Sequence, residues 1–156
     1  MIVSPKGIAF VKGYEKCAKA IRGKPGQFAA YMPTPDDVPT IGWGSTGPDI
    51  KMGLVWSQAQ CDSRFDADAQ KFAHAVDEAL GGTATTQGQF DAMWSLAYNI
   101  GVGGFKGSTV LRQHKAGNYD KAASAFAMWN KQKGKVLDGL TKRRKAETAI
   151  YRGDDV

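Results

Sequence analysis

No apolar run in this chain approaches the roughly 18 residues that a membrane span requires, and its first stretch, MIVSPKGIAFVKGYEKC, is broken by Pro5, Lys6 and Lys12. Neither a cleavable signal nor an anchor is therefore expected. Cysteine is nearly absent. Cys17 and Cys61 are too few for a disulfide framework and too far apart for a zinc pattern, so both are read as buried free thiols. The only histidines, His74 and His114, fall on predicted helices without a cluster of Cys, Asp or Glu at ligand spacing, which argues against a metal site. There is no G-x-S-x-G elbow and no G-x-x-x-x-G-K-[ST] loop, which sets aside serine nucleophiles and P-loop chemistry. Zinc-finger spacing, a basic zipper and an aromatic RNA-binding signature are also missing, so nucleic acid is not an expected partner.

What is present fits one soluble core, with room for two lobes. The chain has 156 residues, 42% hydrophobic and 23% charged. Its net charge of +6 is uneven. Through Phe105 there are 9 Lys and Arg against 10 Asp and Glu; from Lys106 onward there are 12 against 5. A basic second half favours anionic polymers and surfaces, among them the bacterial cell wall and anionic lipid.

Ser4 before Pro5 marks a helix start, and Ile8, Val11, Tyr14 and Glu15 fall at helical spacing, predicting a helix to about Ala20. RGKPGQ at 22–27 ends it. The Gly, Pro and β-branched content of 28–53 predicts short strands and turns, the only β region expected. Ser57 and Gln60 form a capping box opening a long helix over about 57–80, with Cys61, Phe65, Phe72, Val76 and Leu80 on one face. Thr86 and Gln89 form a second box ahead of an apolar segment through Ala97 that reads as a buried central helix. NIGVGG at 99–104 ends that helix with left-handed positions. Ser108 caps a helix to Ala116, Asn118 caps one through Trp129, and residues 139–151 form the last, stopped by Gly153. The predicted architecture is α+β: a small lobe with a β-hairpin over about 14–56, a linking helix over about 57–80, and a helical lobe over about 81–156 that includes the N-terminal helix.

Carboxylates remain as the source of chemistry. Glu15 ends a mostly apolar stripe, where burial would raise its pKa and suit a general acid, although an ordinary surface glutamate at a stripe edge fits the same pattern. Asp36 and Asp37 lie in a proline-rich loop that loses little entropy on ordering, and a pair of acids in a loop is also commonly just solvated. Two such carboxylates are the apparatus of glycoside hydrolysis. Thr40 is placed to orient a water. Tyr31, Trp43 and Phe105 are either core residues or sugar platforms.

Four blocks in order, GYEKC at 13–17, PTIGWGSTG at 39–47, the stretch QFDAMWSLAYNIGVGGFKGSTVLRQHKAGNYDKAASAFAMWNK at 89–131, and GKVLDGLTKRRKAETAIYRG at 134–153, give the chain a pattern that resembles the phage-type lysozymes of glycoside hydrolase family 24. That resemblance implies a two-lobed lysozyme fold that hydrolyses the β-1,4 bond between N-acetylmuramic acid and N-acetylglucosamine without cofactor or metal. It implies Glu15 as the acid, Thr40 as the residue holding the attacking water, and an aspartate six residues before that threonine as the base.

Here the sequence departs: position 34 is Thr, and the aspartates stand at 36 and 37. Three readings follow. Asp36 takes the base position; Thr34 positions the water while both aspartates stay in solvent; or Glu15 acts alone, as in lytic transglycosylases of this fold. A non-catalytic wall-binding relative is a further alternative. Ser45 stands where many relatives have histidine. The expected site is thus Glu15, Asp36 and Thr40, with Thr34, Tyr31, Ser45, Thr46, Phe105 and Ser108 as sugar contacts. The expected partner is peptidoglycan. The basic half, KRRK at 142–145 included, offers attraction to an anionic outer-membrane surface. The resemblance also implies a monomer made in the infected cytoplasm and released to the wall by a holin.

Overall fold

The structure, a computed structural model, describes residues 1–154. The chain divides into two compact units, one over Ala9–Ala69 and one made of Met1–Ile8 with the chain from Gln70 onward. The boundaries fall within the first two helices, α1 (Pro5–Glu15) and α2 (Gln58–Leu80). No helix among the described residues is long and apolar enough to cross a membrane.

The larger unit is helical: α3 (Gln87–Ile100), α4 (Val102–Lys106), α5 (Thr109–Lys115), α6 (Tyr119–Ala125) with a 3-10 turn at Phe126–Met128, and α7 (Asp138–Arg152). Both expected capping boxes form. Thr86 accepts from the Gln89 amide while Gln89 returns to the Thr86 amide, and Ser57 and Gln60 do the same at the start of α2. Residues 89–97 of α3 are all buried, so α3 is the central helix the apolar run predicted. It lies so close to α7 that a β-carbon on Gly88 would come within 2.7 Å of the Ile150 carbonyl oxygen.

Inside this unit sits an ionic cluster that the sequence concealed. Glu147, fully buried, accepts from Ser95 Oγ at 2.5 Å and from Arg144 Nη2 at 3.0 Å, with Arg143 Nε at 3.6 Å. Burial pushes the Glu147 carboxyl up, against the pull of Arg144 and Arg143. Arg143 and Arg144 are only 4% and 1% exposed, so KRRK is not the adsorption patch expected. Helical periodicity turns its middle pair inward and leaves Lys142 and Lys145 outside.

Three expectations need correction here. NIGVGG is not all left-handed: only Gly101 has a positive φ, and Gly103 and Gly104 belong to α4. The helix expected through Trp129 ends earlier, Asn118 makes no side-chain cap, and a second β-hairpin follows, pairing Lys131 with Val136 and Gln132 with Lys135. Its turn places Lys133 and Gly134 at φ 51° and 78°, the paired positive values of a two-residue hairpin turn. The helix expected to reach Ala20 stops at Glu15, because Lys16 turns to φ 44° and Lys19 to φ 64°, while Ala18 pairs with Gly42 and Ala20 with Phe28.

The smaller unit is a short ribbon. Strand β1 (Gln27–Ala29) pairs antiparallel with β2 (Val55–Ser57), Phe28 opposite Trp56, and further bridges join Tyr31 to Thr40 and Ile41 to Ser45. Its own apolar cluster is small: Ala30, Ile41 and Ile50, with Leu54 and Trp56 against them. Of the α1 stripe, Val11 is buried and Tyr14 is 41% exposed.

Two stability measurements test this packing. Glu147→Ala leaves two buried guanidiniums without their carboxylate and should cost about 3–5 kcal/mol in chemical denaturation. His114 is fully buried between Tyr151 and Thr85, and burial lowers its pKa. The unfolded imidazole takes a proton near pH 6.5 and the folded one only at lower pH, so stability should fall as pH drops below that value. His114→Asn should flatten that slope between pH 7 and 5.

Candidate active site

Glu15 is the last residue of α1, half-buried, and its carboxylate abuts a bare backbone. A β-carbon on Gly44 would lie 2.7 Å from Glu15 Oε2 and 3.4 Å from its Cδ. Gly44 also stands at φ 88°, a conformation that disfavours other residues. Glycine is needed there twice over.

The turn 42–44 is fastened on both sides. Ala18 donates its amide to the Gly42 carbonyl at 3.2 Å, joining the turn to the segment just beyond Glu15. Trp43 Nε1 donates to Asp62 Oδ1 on α2 at 2.7 Å, and Gln58 Nε2 donates to the same oxygen at 3.0 Å. The Trp43 bond, aided by Gln58 and Lys12, holds the Asp62 carboxyl below its ordinary range despite some desolvation. Lys12 Nζ lies 5.0 Å from the Trp43 ring centre and 4.9 Å from that of Phe65, a cation over two aromatic faces one turn before Glu15.

A second anchor follows. Ser45 Oγ donates to Asp68 Oδ2 at 2.9 Å, and Arg64 Nε donates to Asp68 Oδ1 at 3.0 Å. The same guanidinium binds Asp49 at 2.7 Å and the Thr46 carbonyl at 2.9 Å. Ser45, only 2% exposed, is therefore a structural tie rather than the sugar contact expected. Thr46 is exposed and engaged through its backbone.

Thr40 and Tyr31 close the proline-rich loop by exchanging both backbone bonds at 2.9 Å. The Thr40 side chain is nearly buried, and its hydroxyl donates to the Val38 carbonyl at 3.0 Å. Within the loop, Thr34 to Asp37 form a turn closed by an amide bond of 3.1 Å, with Pro35 and Asp36 at its tip. Asp36 and Asp37 are exposed, whereas the Thr34 hydroxyl is buried with no hydrogen-bond partner. Tyr31 is half-buried beneath Lys19, whose Nζ lies 5.6 Å from the ring centre. Its phenol is raised first by burial, then by the negative charges of Glu15 and Asp37. Tyr31 thus shares an electrostatic neighbourhood with Glu15 and with one loop aspartate.

Two expected sugar contacts lie in the helical unit and are not available. Phe105 is fully buried, and Ser108 caps α5 by accepting from Leu111 at 3.2 Å while donating to the Phe105 carbonyl at 2.7 Å. Both are packing residues. Conversely, Asp62, Asp68 and Arg64, which brace the turn, were missed. Asp62 directly follows Cys61 and Asp68 lies three residues after Phe65, so both flank the apolar face of α2, but nothing in the sequence pairs them with the glycine turn.

The phage lysozyme family model matches residues 25–147. The endolysin of Bacillus phage B103 is 40% identical over 152 residues, covering 97% of this chain. The chain belongs to the phage lysozyme family. Its match to the family model begins after Glu15, but the alignment with the B103 endolysin covers nearly the whole chain. The chain spans about half the length of the curated relatives first matched, 54% for the B103 protein. Among solved structures, the endolysin from Escherichia coli O157:H7 phage FAHEc1 superposes with a TM-score of 0.78 at 35% identity, covering 98% of this chain and 94% of that one. The muramidase domain of SpmX from Asticaccaulis excentricus also reaches 0.78, at 29% identity, covering 96% of both chains. The fold is the α+β fold of phage lysozymes.

The tightness around Gly44 is testable in this family member. Gly44→Ala should displace the Glu15 carboxylate and cost at least about 10-fold in kcat, given the steep dependence of rate on sub-ångström placement. Asp62→Ala should lower kcat with little change in KM, while Asp62→Asn, which keeps an acceptor for the Trp43 indole, should recover most of it.

Proposed function

We propose that this phage lysozyme family member is a muramidase, hydrolysing the β-1,4 bond between N-acetylmuramic acid and N-acetylglucosamine in bacterial peptidoglycan, with residues 1–156 as one catalytic domain. The observation that carries the reading is Glu15 at the end of α1 with the backbone of Gly44 against its carboxylate. A carboxyl group so placed has a fixed position and one side bare of β-carbons. Family membership and the muramidase neighbour support the chemistry.

In this mechanism Glu15 gives its proton to the glycosidic oxygen as the bond breaks. A water held by the Thr40 hydroxyl is deprotonated by Asp36 and attacks the opposite face of the sugar, giving inversion. Thr34, Tyr31 and Thr46 line the route of the glycan. A second assignment of the base is Asp37, which closes the Thr34–Asp37 turn and is exposed like Asp36. In this reading the protein is a monomer that acts on peptidoglycan, reached from the host cytoplasm by holin-dependent release. Attraction to the anionic wall or outer membrane falls to exposed cations such as Lys131, Lys135, Lys142 and Lys145.

Purified cell walls test these roles. Glu15→Gln should abolish activity, and Asp36→Asn should lose at least about 100-fold, the lower range of general-base contributions. A loss confined to Asp37→Asn would move the base to Asp37. Mass spectrometry of the products should find reducing-end sugars; 1,6-anhydro ends would mean that Glu15 acts alone as a transglycosylase, and wall binding without digestion would mean a non-catalytic relative.

A further inference from the structure

Cys17 and Cys61 take part in none of these steps, yet the fold brings them together. Cys17 lies two residues beyond Glu15 and is half-buried; Cys61 lies in the first turn of α2 and is fully buried. Gln58 Nε2, one turn before Cys61 on α2, reaches Cys17 Sγ at 3.7 Å, which puts the Cys17 thiol against the helix that carries Cys61. Backbone geometry places them independently. Ala18, the next residue after Cys17, donates to the Gly42 carbonyl at 3.2 Å, and a β-carbon on Gly42 would lie 3.0 Å from both Cβ and Sγ of Cys61. Both cysteines therefore border the same glycine.

We propose that Cys17 and Cys61 are a disulfide-forming pair, linked when the protein meets a small disulfide oxidant and left as thiols in a reducing compartment. The link would staple the segment that follows Glu15 to α2. The thiolate of Cys17, the accessible partner, attacks one sulfur of the oxidant, forming a mixed disulfide and releasing one small thiol. Cys61 then gives up its proton and attacks the Cys17 sulfur, and the second small thiol leaves. Two protein thiols are oxidised and one external disulfide is reduced to two thiols.

Burial raises both thiols, Cys61 to about 12, so the exchange is slow at neutral pH and accelerates in alkali. The closed loop of about 45 residues removes conformational freedom from the unfolded chain. This inference extends past the catalytic reading and is measured without it.

The experiment exposes the reduced, purified protein to oxidised glutathione at pH 8.5. Intact mass should fall by two hydrogens, a proteolytic digest should contain a Cys17–Cys61 linked peptide, and dithiothreitol should restore the starting mass. The oxidised form should melt about 5–10 °C higher, as expected for a loop of this length in a domain of this size. Cys17→Ser and Cys61→Ser should each lose both the internal link and the redox-dependent shift in Tm. Two free thiols after prolonged oxidation, a stable glutathione adduct on Cys17, or a link between two chains would overturn the proposal, and so would an internal link that lowers Tm. The wild-type mass and Tm decide the matter even where a serine variant fails to fold.

Discussion

The contact between Glu15 and Gly44 leaves no room for a β-carbon. Burial of Val11, Ile41 and Phe65 nearby is non-directional and does not by itself define a turn to within a fraction of an ångström. Polar ties to α2 supply the missing precision. Asp62 takes the indole of Trp43, Asp68 takes the hydroxyl of Ser45, and Arg64 draws together Asp68, Asp49 and the Thr46 carbonyl. Each bond is modest in net free energy, on the order of 1 kcal/mol. Their effect is geometric: the Trp43 indole, the Ser45 hydroxyl and the Thr46 carbonyl all find their partners on one helix.

The helical unit solves a different problem by different means. There α3 is buried over residues 89–97, and its packing against α7 is close enough to require Gly88. A buried Glu147 beside two guanidiniums of its own helix is a poor source of stability compared with apolar packing, but its bond from Ser95 Oγ on α3 penalises sliding of α7 along α3. The contrast explains where side-chain chemistry is exposed. A thick apolar core absorbs Phe105 and Ser108, whereas the ribbon keeps Glu15, Tyr31 and the loop aspartates at its surface or half-buried.

Local signals in the sequence located most elements where a capping side chain or a long apolar period was involved, Asn118 being the exception. The boxes at Ser57 and Thr86, the caps at Ser4 and Ser108 and the stop at Gly153 all depend on atoms within a few residues of one another. Failures came where a distant partner decided the outcome. The end of α1 at Glu15 is set by pairing of Ala18 with Gly42, and nothing in GYEKCAKA announces it. Burial of Arg143 and Arg144 needs a carboxylate one turn away and a serine on another helix. The contact between Cys17 and Cys61 spans 44 positions and becomes visible only when the ribbon folds back on α2. For the site, Glu15 and the glycine turn were readable as a motif, but the residues that brace them were not.

The loop between Tyr31 and Thr40 shows why counting residues fails for the proposed base. A spacing of six would locate an aspartate only if the loop had the same shape as in a relative. Here Thr34 to Asp37 fold into a tight turn with Pro35 fixing its second position, so residues 34, 36 and 37 point from different places on one small loop. The position six before Thr40 carries a hydroxyl that is buried rather than a carboxylate aimed at a water. Moving the acids to 36 and 37 places them around the tip and exit of that turn. The charge of Asp37 reaches the Tyr31 phenol along with that of Glu15. Both acids therefore stand where the shape of the turn, rather than a fixed spacing from Thr40, decides which carboxylate faces a water.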